Sequence, residues 1–123
     1  MRKKRSDSPS NEVLKCIIEI MQDKKASEIV HLNLMKIQGA VTDHFVISHA
    51  NSKTQVDAIA SHIMEDLHKN IGVKPYHFEG FENSEWILID YVDIVVHVFL
   101  NSARTFYQLE ELWADAEIVR YDD

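Results

Sequence analysis

At 123 residues the chain is the length of one domain, and 46% apolar against 27% charged residues leaves enough greasy surface for a core of its own. No apolar run approaches the roughly 20 residues of a membrane-crossing helix, and a lone Cys16 excludes an internal disulfide and fits a reducing compartment, with the cytoplasm the expected location. The net charge of −7 is unevenly spread: residues 79–123 hold Arg104 and Arg120 against eleven acids, a net of −9, which repels nucleic-acid phosphate and attracts a basic protein.

Residues 1–9 carry a basic block at 2–5 with no apolar stretch behind it. They read as a flexible N-terminus, not a secretory signal, with at most a minor contact to RNA. Ser8 and Pro9 resemble a cap and a first helical position. A helix should follow to about Lys25, burying Val13, Leu14, Ile17, Ile18 and Met21. In "EIVHLNLMKI", Ile29, Leu32, Leu34 and Ile37 stand between polar residues, which predicts a strand with one wet face. "TDHFVISHA" predicts a second strand, hairpin-paired to the first through Gly39.

Ser52 and Gln55 form a capping box for a helix burying Val56, Ile59, Ala60, Ile63 and Leu67, with Gly72 as its stop. "PYHFEGF" reads as a short edge strand behind Pro75. "WILID" and "DIVVHVFL" are nearly continuous apolar runs, the pattern of central strands covered on both faces. A last helix from about Ser102 should bury Phe106, Leu109, Trp113 and Ala116, and residues 119–123 read as an acidic tail. The order α-β-β-α-β-β-β-α predicts a single α/β (α+β) domain over residues 10–118, a mixed five-stranded sheet packed by three helices.

Catalytic signals are weak. Asp90 and Asp93 stand three apart, a spacing that sends strand side chains to opposite faces, so turn-capping aspartates explain them better than a metal site. With three glycines there is no phosphate-cradling loop, which argues against a nucleotidyltransferase. His44 and His49, and likewise His62 and His68, diverge, so no metal is expected. Cys16 lies on an apolar helix face where thiols are inert. His97, on the same strand face as Val95 and Phe99, reads as a hydrogen-bonded core histidine rather than a general base. Phe81, Trp86, Tyr91, Tyr107 and Trp113 all fall in the acidic half, a composition suited to a protein-binding patch.

The residues Glu79-Gly80, Trp86, Leu88-Ile89-Asp90-Tyr91, Asp93, Val95-Val96-His97, Phe99, Arg104, Phe106-Tyr107, Leu109-Glu110, Leu112-Trp113 and Asp115-Ala116 together resemble the ribosomal silencing factor (Iojap-like) family, with further matches at Lys25-Ala26, Thr42-Asp43, Phe45-Val46-Ile47 and Ser52. The resemblance spans about residues 10 to 117. It implies a nucleotidyltransferase-like fold without transferase chemistry, so no enzyme and no cofactor. It implies binding to the large ribosomal subunit through ribosomal protein L fourteen, which blocks joining of the small subunit and represses translation, and a homodimer in the free state. Carried over, the contact residues are Trp86 and Tyr91 as anchors, Asp90 and Asp93 as partners of Lys/Arg, Arg104 to orient those acids, and Tyr107. The family's organelle members imply a large-subunit assembly factor as the second reading. Three departures stand out. Val92 replaces a usual Gly, so a negative φ or a reshaped turn is expected, His44 replaces a usual Tyr, and "SHANSKTQ" diverges from the common loop.

Overall fold

The computed structural model describes residues 9–121, and the expectations for residues 1–8 and for the last two acids lie outside it. Helix α1 (Pro9–Asp23) opens on Pro9 and leads into strand β1 (Ser27–Asn33), which turns back into β2 (His44–Ala50). Helix α2 (Lys53–Ile71) follows, then β3 (His77–Glu79), β4 (Trp86–Asp90) and β5 (Ile94–Leu100). The chain ends in two short helices, α3 (Asn101–Tyr107) and α4 (Leu109–Leu112), and a strand β6 (Glu117–Tyr121).

The strands form one sheet in the order β3-β4-β5-β2-β1-β6. Among the described residues only β2 and β5 run parallel. This is the expected mixed sheet with six strands instead of five, because part of the presumed acidic tail pairs with β1. The segment "EIVRY" gives little signal of a strand. It lies at an edge with both faces largely exposed, so neither alternation nor an apolar run marks it.

α1 and α2 cover one face of the sheet. Val13, Ile17 and Met21 meet Val56, Ile59, Ile63 and Leu67 above Val46, Ile87, Ile89, Val96 and Val98. The α2 ends are built as expected: Ser52 Oγ accepts from the Gln55 amide at 3.1 Å, and Gly72 closes the helix at φ 68°. The other face holds a smaller core of Val30, Leu32, Leu34, Phe45, Ile47, Val95, Phe99 and Leu109, under α3, α4 and the loop after β1.

Three expectations change. β1 has no wet face, since residues 29–32 are buried with Ile29 and Leu32 on opposite sides; β6 converts it from an edge to an interior strand. β5 is covered on both faces, but β4 alternates, with Ile87 and Ile89 fully buried and Trp86, Leu88 and Asp90 half-buried. The last helix is broken at Gln108, which takes a left-handed conformation (φ 45°) and turns the chain. Phe106, expected in the core, therefore stands 78% exposed, while Leu109 and Ala116 are buried.

Candidate partner-binding face

On the side of the sheet away from α1 and α2, the side chains of the β3–β4 end follow from the period of two. Trp86, Leu88 and Asp90 share that side of β4. Glu79 stands opposite Leu88 and His77 opposite Asp90 on one flank. Phe99, His97 and Val95 stand opposite Trp86, Leu88 and Asp90 on the other. Tyr107 of α3 packs on Trp86 with ring centroids 4.8 Å apart and is itself half exposed. An apolar stripe thus runs Tyr107–Trp86–Leu88 with Glu79 and Asp90 along its border, and Phe106 and Leu112 add exposed apolar surface on α3 and α4.

The six residues expected to make contacts do not form one cluster. Trp86 and Tyr107 touch, whereas Asp90, Tyr91 and Asp93 sit at the far end of β4, about 13 Å along the strand from Trp86. Asp90 is a turn-capping aspartate: its Oδ1 accepts from the Val92 amide at 2.7 Å. The Asp93 carbonyl accepts from the amides of Asp43 and His44, which ties the turn to the start of β2. Tyr91 is a half-buried residue packed against the helical core, with its hydroxyl buried and without a hydrogen-bond partner among the described residues. Burial pushes that phenol well above its ordinary range. Its ring is a wall of the core rather than an anchor.

Of the two alternatives expected at Val92, the negative φ is contradicted. Its φ is +76°, and the Asp93 amide donates to the Tyr91 carbonyl at 2.9 Å, closing a three-residue γ-turn about Val92. The Asp90 carboxylate, the Thr42 hydroxyl on the Val92 carbonyl at 2.7 Å, and the Tyr91 amide on the Ile94 carbonyl hold the turn in place. These bonds outweigh the steric preference of a β-branched residue.

Arg104 is also reassigned. It is 7% exposed and lies beyond the opposite end of β5 from Asp90 and Asp93, so it cannot orient them. Its guanidinium donates to Glu110 Oε2 at 2.7 Å, to His49 Nδ1 at 2.9 Å and to the Ser27 carbonyl at 3.3 Å. That carbonyl is offered by a β-bulge. The pairing of β1 with β2 slips between Ser27 and Val30, where Glu28 takes φ 47°. Arg104 therefore fastens α3 and α4, with the exposed rings they carry, to the sheet.

His97 is a buried histidine, as expected, and its Nδ1 accepts from the Trp86 indole N–H at 3.0 Å. Burial pushes its pKa down to about 3. The histidines that approach each other do so across the sheet rather than along the chain: His31 Nε2 and His44 Nδ1 are 2.9 Å apart. Burial, then the charge of His44, hold His31 down to about 4. Only the β1–β2 register reveals this pair. Among the described residues no three metal-binding side chains gather, and no helix is long and apolar enough to cross a membrane.

Residues 7–123 match the family model described as ribosomal silencing factor during starvation. The chain is 40% identical to a protein named ribosomal silencing factor RsfS from Halalkalibacterium halodurans, over 92% of this chain and 95% of that one. It is 40% identical to the protein of the same name from Bacillus subtilis, over 89% and 92%. A crystal structure of a Chromobacterium violaceum protein superposes with a TM-score of 0.79 at 35% identity, covering 85% of each chain.

Proposed function

The chain belongs to the ribosomal silencing factor family, and from that premise we propose that it is a non-enzymatic repressor of translation that binds the large ribosomal subunit. The contact would be the stripe Tyr107–Trp86–Leu88, laid against a basic surface of ribosomal protein L fourteen. Bound there, it excludes the small subunit by occupying space, a task that needs affinity and no bond-making. The observation that carries this reading is the pairing of a half-buried aromatic stripe with bordering carboxylates, in the half of the chain whose net charge is −9. Apolar rings release ordered water on docking, and surrounding charge steers a basic partner inward.

The energetics are attainable. Micromolar binding needs about 8 kcal/mol, within reach of an interface of roughly 1,600 Å² with a few aromatic anchors. Incubation with purified large subunits followed by sedimentation tests the binding. Addition of small subunits before a gradient tests the block. The reading predicts co-sedimentation and loss of the joined particle; a chain left in the supernatant at micromolar concentration and low salt overturns it.

A further inference from the structure

The tryptophan in the middle of the stripe is held by a buried histidine whose other ring nitrogen has no hydrogen-bond partner among the described residues. β5 is otherwise apolar from Ile94 to Leu100, and His97 is buried in it between Val96 and Val98. The Trp86 indole nitrogen only donates, so His97 Nδ1 is bare and the proton of the neutral ring is on Nε2. That second nitrogen is buried with no hydrogen-bond partner among the described residues. An N–H left unpaired in a core is destabilising; a leucine here would remove that penalty but leave the Trp86 indole N–H without its acceptor. A local rule broken without local compensation is characteristic of positions kept for function.

What the penalty yields is one fixed rotamer of Trp86. The ring lies between Phe99 and Tyr107, with centroids 4.9 and 4.8 Å away, and its single polar atom is turned inward to His97. Without that acceptor the indole N–H satisfies itself by turning to water, and the flat apolar surface is lost. We infer that His97 is a positioning residue for the partner-binding face, acting through the acceptor it offers Trp86. This rests on the stripe being the binding surface.

The test uses the full chain carrying Trp113→Phe, so that Trp86 is the sole tryptophan, together with His97→Leu and His97→Asn. The Oδ1 of asparagine replaces Nδ1 as acceptor. His97→Leu should melt within a few degrees of the parent, because the unpaired Nε2–H is removed as the indole loses its acceptor, yet its indole N–H should exchange with water at least ten-fold faster, and binding to large subunits should weaken at least ten-fold. His97→Asn should retain slow exchange and most of the binding. Slow exchange and full binding in His97→Leu overturn the inference, as does fast exchange or lost binding that His97→Asn fails to restore, which would make His97 a packing residue. Should the parent itself fail to bind large subunits, the partner reading falls, while the exchange measurement still decides whether His97 holds Trp86.

Discussion

Arg104 Nη1 stands 2.9 Å from His49 Nδ1, and because a guanidinium only donates, His49 must be the neutral tautomer with its proton on Nε2. Burial and then the Arg104 charge hold its pKa below the ordinary value. The side chain read from sequence as a partner contact is thus the rivet joining α3 and α4 to β1 and β2. Arg104→Ala strands Glu110 and the Ser27 carbonyl and should cost about 3–5 kcal/mol in urea unfolding. Arg104→Lys should recover less than half of that loss, since one ammonium cannot span three acceptors in a plane.

Acid should destabilise the protein through its buried histidines. His31 and His97 drop from 6.5 to about 4 and about 3 on folding, so the unfolded chain binds the protons first. Their contribution is complete above pH 6.5 and lost as pH falls toward those folded values, about 2 kcal/mol each by pH 5. Urea midpoints from pH 7 to 5 measure the slope, and His97→Leu should flatten it.

Val92→Gly should stabilise. A β-branched residue at φ +76° bears about 1–2 kcal/mol of strain, partly offset by the greater freedom of glycine when unfolded. A net gain of about 1 kcal/mol, or roughly 4 °C in Tm, is expected. Calorimetry that finds the variant less stable would mean that the Val92 side chain has a role the turn geometry does not reveal.

Gly80→Ala should be among the most damaging single changes. Gly80 has φ +98°, and an added Cβ would overlap the Trp86 carbonyl oxygen and stand 3.0 Å from the Ile87 Cα. Both obstacles are backbone of β4, so neither can swing aside. A loss of about 3 kcal/mol or more is expected, and thermal melts on the soluble fraction measure it.

Leu88→Asp places a charge in the middle of the stripe, on a half-buried position flanked by Glu79. Subunit binding should fall at least ten-fold while the melting temperature moves by only a few degrees. Tyr107→Ala should weaken binding less, since Tyr107 is at the rim. If both variants bind like the parent, the partner docks elsewhere.

How much of this was legible depends on whether the signal was local. The five core residues of α2 and both of its ends were readable, because a capping serine, a 3.6-residue period and a C-terminal glycine lie within one segment. The break at Gln108 and the bulge at Glu28 were not, since both use left-handed residues other than glycine, which leave no mark in composition. Asp90 as a turn cap followed from its spacing. Arg104 was misread because its partners come from β1, β2 and α4, and nothing in its neighbourhood along the chain announces them. The separation of Trp86 and Tyr107 from Asp90, Tyr91 and Asp93 likewise needs the length of β4, which a motif does not express.

The centre of the sheet has a consequence for how the molecule comes into being. β2 meets β5 at a constant offset, His44 beside Ile94 and Ala50 beside Leu100, fifty residues apart throughout. During synthesis β2 must wait several seconds for its parallel neighbour to emerge, at about 5–20 residues per second. Through that interval the edge of β2 destined for β5 stays unsatisfied, and a newborn chain is most vulnerable to pairing with another of its kind.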